Sequence, residues 1–287
     1  MASATATGRK EKNKTLNALL FYVFLILFVF VSVFPLLWIF KMSIITSAEL
    51  FQVPPTVIPE NPTAASYNKI FSDPAFVKGL RNSTIIAGTT TVLCLFLGSI
   101  AAYAIARLRF RFKNPVMTLV LAIAFFPQVA ILAPLFIQFS AIGLINTYWA
   151  AIVTDTVFAL PLTIWLLVAF FKELPMDLEE AARVDGATTI QAFQKIIVPL
   201  AAPGVFTTAI LTFIFAWNDY IFANTFLFDE STQPVTVVIP NFAAAQFTTD
   251  YGAQAGAAVV VTVPLVILVL IFQRRIVSGL TAGAVKG

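Results

Sequence analysis

The sequence predicts an all-α membrane protein with six transmembrane helices. Of its 287 residues, 59% are hydrophobic and only 11% are charged, whereas ordinary soluble domains carry about 25% charged residues. Phe occurs 29 times and the mean hydropathy is +0.91. A soluble chain of this size could not bury so much apolar surface. This composition therefore excludes a disordered protein, a secreted disulfide scaffold and an ordinary cytosolic enzyme.

Six apolar runs are long enough to cross the membrane, because about 20 apolar residues span the hydrocarbon core. They are Leu16 to Phe40, Ser83 to Ile105, Val116 to Phe139, Tyr148 to Phe171, Leu200 to Phe228 and Ala255 to Phe272. Together they predict a transmembrane domain over 16–272. The third run is interrupted by Pro127 and Pro134. The first run is longer than a signal-peptide core, so we expect it to be retained rather than cleaved.

The Lys and Arg residues predict the orientation, since they accumulate in cytoplasmic loops. Fourteen of the 18 lie in the amino-terminal segment 1–15, in the loop after the second run, in the loop 172–199 and in the tail 273–287. We therefore expect these four segments and both termini to be cytoplasmic, with the loops 41–82 and 229–254 outside. The same distribution accounts for the net charge of +4 without a nucleic-acid partner.

The residue types exclude most catalytic chemistry. The sequence has no His and a single Cys, Cys94, so it has no His-based triad, no His metal ligand and no internal disulfide. It also lacks the G-x-x-x-x-G-K-[ST] loop that cradles ATP phosphates. We predict no catalytic residue, no metal site and no cofactor on this chain. If transport is ATP-driven, ATP and Mg belong to a partner.

The loop 172–199 reads KELPMDLEEAARVDGATTIQAFQKIIVP and predicts two helices joined by a glycine turn. Pro175 suits a first helical turn, and the acidic residues that follow it favour the positive end of the helix dipole. Gly186 suits the left-handed position that ends a helix. Thr188 and Gln191 have the spacing of a capping box for the second helix. Acidic residues outnumber basic ones here, which favours docking on another protein over lying on anionic lipid.

The same loop resembles a known motif. Glu180-Ala181-Ala182, three residues, Gly186, nine residues, Ile196, one residue, Val198 and Pro199 are similar to the E-A-A-x₃-G-x₉-I-x-L-P loop of permease subunits of ABC importers. Val198 in place of Leu is the one departure. The resemblance implies a coupling helix within 179–192 that seats in a cleft of an ATPase subunit. It assigns this contact to Glu179, Glu180, Ala181, Ala182, Asp185, Gly186 and Ala187.

Two further segments extend the resemblance. Residues 215–219, FAWND, are similar to the end of the fifth span of carbohydrate-importing members, and the tail QRRIVSGLTAGAVKG resembles that of MalG-like subunits of maltose and trehalose importers. This implies the type I ABC importer permease fold. It also implies that the tail contacts the ATPase through Gly279, Leu280, Thr281, Gly283 and Lys286. Without the resemblance, a frayed basic end is the favoured interpretation of the tail.

The resemblance also implies the partners. They are a second, MalF-like permease subunit, two copies of an ABC ATPase and an extracytoplasmic sugar-binding protein, together with membrane lipid, in the cell membrane of a bacterium or archaeon. A disaccharide such as trehalose or maltose is the expected substrate. An oligosaccharide or glycerol phosphate remains open, although the last five runs contain no Lys or Arg for a phosphate. An ATP-independent channel, a secondary transporter and a membrane scaffold also remain open.

Polar residues within the apolar runs are candidates for the substrate pathway, because burying them in a membrane is costly without a function. Aromatic residues nearby could stack on sugar faces. Each candidate could instead have a structural role, as a hydrogen-bonding group between helices or as an anchor at the membrane interface. The candidates are Gln128, Trp149, Asp155, Trp217, Asn218, Asp219 and Tyr220.

Overall fold

The computed structural model describes the backbone of residues 2–244 and 250–282, and the side chains of residues 16–242 and 250–273. The regular secondary structure of this part of the chain is entirely helical and includes no strand. The helices are α1 (Ala2–Ser43), α2 (Ser47–Leu50), α3 (Ala65–Ser72), α4 (Pro74–Arg107), α5 (Lys113–Ala124), α6 (Leu132–Ala141), α7 (Tyr148–Glu173), α8 (Asp177–Val184), α9 (Thr189–Ala192), α10 (Val198–Leu200), α11 (Ala202–Trp217), α12 (Ile221–Phe226), α13 (Val235–Val238), α14 (Asn241–Ala244) and α15 (Tyr251–Ala282).

Four helices are long and apolar enough to cross a membrane, and they contain the first, second, fourth and sixth predicted runs. They are α1, α4, α7 and α15. α1 begins at Ala2, so the predicted amino-terminal segment 1–15 continues directly into the first span. α4 begins at Pro74, nine residues before the predicted run, because Asp73 accepts a hydrogen bond from the Ala75 N–H and caps the helix.

The third and fifth runs are not single straight helices. In the third, Lys113–Ala124 and Gln128–Ala141 meet at 88°, and the break falls at Pro127, which lacks an N–H and restricts the residue before it. In the fifth, α11 ends at Trp217, short of the predicted Phe228, and it meets the preceding segment Thr189–Leu200 at 77°. Counting each bent pair as one span gives up to six, but the second pair covers 189–217 and not the predicted run Leu200–Phe228.

The centre of the molecule is the packing of α4 against α7 and α11. Small residues permit a close approach: a Cβ on Gly98 of α4 would lie 2.7 Å from the Cγ2 atom of Thr163 on α7. Thr163 also shares a buried hydroxyl hydrogen bond of 2.9 Å with Thr212 on α11. Small side chains and interhelical hydroxyl bonds are the usual means of helix packing in lipid. α4 is therefore packed against α7 on one side and against α11 on another.

The predicted outer loop 41–82 is ordered and includes the short helices α2 and α3. The carboxylate of Glu49 accepts hydrogen bonds from the hydroxyl of Thr56 and from the N–H groups of Glu60 and Asn61. The Glu60 N–H is the main reason that the pKa of Glu49 lies below its usual value. Glu49 thereby closes the loop over residues 49–61.

Candidate functional site

The segment between α7 and α11 folds as its sequence predicts, into a helix, a glycine turn and a second helix. α8 begins at Asp177, so Pro175 precedes the helix instead of standing in its first turn. Gly186 has a φ of +85°, the left-handed conformation that glycine adopts without a steric penalty. A Cβ at this position would meet no atom within 4 Å, so the backbone conformation alone demands glycine.

Hydrogen bonds close both sides of this turn. The Ala187 N–H donates to the Ala182 carbonyl at 2.9 Å and the Gly186 N–H donates to the Arg183 carbonyl at 3.0 Å, which is the Schellman pattern at a helix end. On the other side, Thr188 and Gln191 cap each other's backbone in the predicted capping box. The orientation of the two helices is therefore set locally, before any partner binds.

The outward face of the loop is acidic and apolar. Glu180, Ala181, Asp185 and Gly186 are exposed, whereas Ala182 is buried and Ala187 is half-buried. Two large apolar side chains stand beside them in solvent, Val184 at 86% exposure and Ile190 at 67%. An exposed apolar surface rimmed by charge on a rigid turn is typical of a protein-binding surface.

Glu179 differs from its neighbours, because its side chain faces the protein interior and is 1% exposed. Its Oε1 atom accepts hydrogen bonds from the Tyr103 hydroxyl at 2.5 Å and from Arg183 Nη2 at 2.7 Å. Its Oε2 atom lies 3.8 Å from Nε of Arg107, whose side chain is 2% exposed. Of the residues assigned to docking, Glu179 therefore contacts its own subunit in this structure.

Tyr103 and Arg107 complete this cluster, and neither is among the residues that the sequence predicts for the site. They lie four residues apart on the last turn of α4, so they share one face. Arg107 also donates to the Leu174 carbonyl at 2.7 Å and contacts the sulfur of Met176. The signal in the sequence was an Arg at the end of an apolar run, which by itself indicates only the cytoplasmic boundary.

The polar candidates within the membrane fall into two groups. Asp155 is fully buried in α7, and neither of its carboxylate oxygens has a hydrogen-bond partner among the residues that the structure describes. Asp219 itself has partners, since it accepts hydrogen bonds from the Phe222 and Ala223 N–H groups and caps α12. The two acids therefore differ: Asp155 is buried without a partner, and Asp219 is half-buried and bonded to the backbone.

The other candidates are more scattered. Trp217 is buried and stacks on Phe213 at 5.5 Å, whereas Asn218 and Tyr220 are exposed at the break that follows α11. Trp149 is 51% exposed near the start of α7. Gln128 is half-buried in the 3₁₀ turn at the break of the third run. Trp217 is therefore unavailable for stacking on a sugar in this conformation.

The outer loop 229–254 is fastened to the start of α4 over its described part. Asn82 donates to the carbonyls of Ser231 and Gln233 at 3.0 and 2.9 Å, and it accepts from the Tyr148 hydroxyl at 2.7 Å. Ser83 accepts from the Val235 N–H at 2.9 Å. At the start of the loop, the Ser231 N–H lowers the pKa of Asp229.

None of the predicted tail contacts has a described side chain. Gly279, Leu280 and Thr281 belong to the last turns of α15, where only the backbone is described. Gly283 and Lys286 lie outside the described residues. Within the described residues, no group of three or more potential metal ligands is present.

Comparison with known proteins identifies the family. Residues 94–281 match the model of the binding-protein-dependent transport system inner membrane component. The trehalose transport system permease protein SugB of Mycobacterium tuberculosis is 46% identical over 257 residues, which cover 89% of this chain and 93% of that protein. The trehalose/maltose permease protein MalG of Thermococcus litoralis is 37% identical over 278 residues, covering 96% and 99%.

Two further matches bear on substrate and fold. A sulfoquinovosyl glycerol permease protein, SmoH of Agrobacterium fabrum, is 41% identical over 256 residues, which cover 89% of this chain and 90% of that protein. A solved bacterial ABC transporter that imports alginate shares the fold, with a TM-score of 0.78 at 22% identity over 91% of this chain and 97% of that one. These matches confirm the resemblance to carbohydrate ABC importer permeases. The chain belongs to the family of binding-protein-dependent transport system inner membrane components.

Proposed function

We propose that this chain is the permease subunit of an ATP-driven, binding-protein-dependent sugar importer. It forms half of the translocation pathway in the cell membrane and pairs with a second, MalF-like permease. The observation that carries the proposal is the loop 177–192, whose turn is built by its own sequence and whose outward face is unoccupied by this subunit. A rigid, exposed element of this kind suits the cleft of an ABC ATPase.

The coupling follows from this geometry. Two ATPase subunits hold ATP and Mg, and they approach each other when ATP binds. Glu180, Ala181, Asp185, Gly186 and Ala187 keep α8 seated in the ATPase during this motion. Nucleotide drives the change only through its different affinity for the two states, and the seated helix transmits the motion as a rigid body. The tail from Gly279 to Lys286 is a second ATPase contact.

The substrate that the residues favour is an uncharged disaccharide of the trehalose or maltose type. Two relatives bear names of trehalose or maltose systems. The predicted runs from 83 to 272 contain no Lys or Arg, and a phosphate group would need such a charge. Asn218 and Tyr220 offer an amide and an exposed ring, and Trp149 offers a second ring. A sugar delivered by an extracytoplasmic binding protein would meet these groups from outside.

The test is transport by the complete assembly. The tagged chain is purified in mild detergent from its native membrane, co-purifying proteins are identified by mass spectrometry, and the complex is reconstituted in liposomes. We expect a second permease and an ATPase to co-purify, and radiolabelled trehalose or maltose to enter only with ATP and the binding protein. A charged sugar and glycerol phosphate serve as competing substrates.

Two results would contradict the proposal. If the chain purifies as a stable homo-oligomer without an ATPase, the loop has no ATPase to bind and the proposed coupling role is wrong. If uptake then follows an ion gradient in the absence of ATP, Asp155 and Asp219 become the candidates for the ion site of an ion-coupled transporter instead. Competition by glycerol phosphate but by no sugar would preserve the importer and change only the substrate.

A further inference from the structure

From the contacts of Glu179 we infer that it, Arg107 and Tyr103 form a latch within the subunit, which makes α4 follow the movement of the cytoplasmic loop. The inference rests on the proposed function and adds positioning residues to it. Glu179 acts from inside the subunit, through α4. Its exposed neighbour Glu180 belongs to the surface that meets the ATPase.

The first step is that side chains connect α8 to α4. Backbone packing between these two helices is sparse in the part of the chain that the structure describes. The connection is made by the Glu179 carboxylate, which accepts from the Tyr103 hydroxyl at 2.5 Å and lies 3.8 Å from Arg107 Nε. Arg107 adds a bond to the Leu174 carbonyl at 2.7 Å. Glu179 and Arg107 are at most 2% exposed, so water does not compete for these bonds.

The second step is that the latch also reaches the other limb of the loop. The Tyr103 ring lies 4.7 Å from the ring of Phe193, which in turn contacts Phe171 of α7 at 6.2 Å. Phe193 opens the π-helical turn that follows α9. Both limbs of the helix–turn–helix therefore meet at one turn of α4. A push on either limb reaches α4 at the same place.

The third step concerns energy. A buried charge that loses its partner is strongly unfavourable, because the interior cannot replace the lost hydration. Separating Glu179 from Arg107 during a transport cycle would leave the Arg107 guanidinium buried without a carboxylate, and Glu179 would keep only the half-exposed Arg183 of its own helix as a charged partner. Moving α4 together with the loop avoids this penalty. Since α4 packs centrally on α7 and α11, a movement of α4 also moves these two helices.

The experiment measures sugar transported per ATP hydrolysed in the reconstituted importer. In Glu179→Gln, which keeps the shape and removes the charge, we expect this ratio to fall at least about fivefold, the lower end of typical coupling between sites. Assembly with the ATPase and the rate of ATP hydrolysis stay near wild type. The matched control is Glu173→Gln, an exposed acid in the same loop, for which we expect an unchanged ratio.

A second variant keeps the test informative if Glu179→Gln fails to assemble. In the double variant Arg107→Gln, Glu179→Gln, no uncompensated charge remains buried, so we expect assembly to recover while the ratio stays low. A wild-type ratio in either assembled variant overturns the latch. So does a parallel loss of uptake and hydrolysis that leaves the ratio unchanged, since this indicates a structural role. If the wild-type complex itself shows no ATP-dependent uptake, the proposed function fails, and this is measured first.

Discussion

Glu179 and Glu180 are adjacent, have the same chemistry and lie in opposite environments. Glu180 is exposed, whereas Glu179 is buried among Tyr103, Arg107 and Arg183. The two are about 100° apart on the helix, because an α-helix turns once in 3.6 residues. The loop motif assigns both to docking. Which of them faces the subunit depends on where α4 ends, and no local rule supplies that position.

The structure adds most to the hypothesis that Asp155 lines the substrate pathway. A carboxylate buried without hydrogen bonds makes no contribution to stability that an amide could not replace. We expect Asp155→Asn to keep the thermal midpoint of the assembled subunit at or above that of the wild type, while changing the KM for sugar if Asp155 lines the pathway. Thermal unfolding followed by tryptophan fluorescence and initial uptake rates measure the two effects.

The control for Asp155 is the other acid within the predicted spans, Asp219, whose carboxylate caps α12. Loss of such a cap costs about 0.5–2 kcal/mol, so Asp219→Ala lowers the thermal midpoint. A comparable drop in Asp155→Asn would show that Asp155 has a structural partner. An unchanged KM together with an unchanged midpoint would remove Asp155 from the pathway.

At the scale of elements, helices that the sequence predicts as uniform runs divide at prolines and at polar positions. Pro127 marks the 88° bend of the third run. Pro134, in contrast, lies in the first turn of α6, where its missing N–H would have no partner in any case. The two prolines lower the hydropathy of the run equally, but Pro127 breaks the helix and Pro134 does not. Only their positions relative to the helix start distinguish them.

The turn between α8 and α9 yields a prediction at this scale. Gly186→Val forces a β-branched residue into the left-handed region, which costs about 1–2 kcal/mol even though its Cβ meets no neighbour. Because the cost is relieved by changing the angle between the helices, we expect normal expression and a clear loss of uptake per ATP hydrolysed. Reconstituted transport and ATPase assays measure this ratio.

A matched control exists in the same chain. Gly143 also has a positive φ, +71°, and open space around a Cβ, but it lies between α6 and α7. Gly143→Val therefore carries a similar backbone penalty without touching the loop, and we expect its transport ratio to stay normal. Equal uncoupling in both variants would attribute the effect to general destabilisation.

At the scale of the whole molecule, the apolar surface is arranged for lipid and for partners. The most apolar stretch of α1 is entirely unburied by the rest of the chain, while that of α7 is 72% buried. α1 rests along α15 and turns the remainder of its surface outward. An exposed first helix and an enclosed fourth span are expected of a subunit whose outer surface packs against lipid and partners in the membrane.

The orientation in the membrane is a prediction that the single cysteine makes easy to test. With the buried Cys94 replaced by Ser, a new cysteine is introduced at Glu230 or at Arg111, both of which are exposed. The distribution of basic residues predicts that a membrane-impermeant maleimide labels Glu230→Cys in intact cells. It labels Arg111→Cys only after permeabilisation. Cys94→Ser alone is the unlabelled control, and the reverse pattern would invert the topology.

The class of protein, the apolar helices and the local form of the cytoplasmic loop could all be predicted from the chain alone. Hydropathy, helix caps and the left-handed glycine act within a few residues, so Gly186, Thr188 and Gln191 could be assigned without a structure. The folded arrangement decided which faces meet. It turned Glu179 inward, joined it to Arg107 across 72 positions of the chain, and buried Trp217. Contacts between distant helices depend on packing geometry, which hydropathy along the chain does not encode.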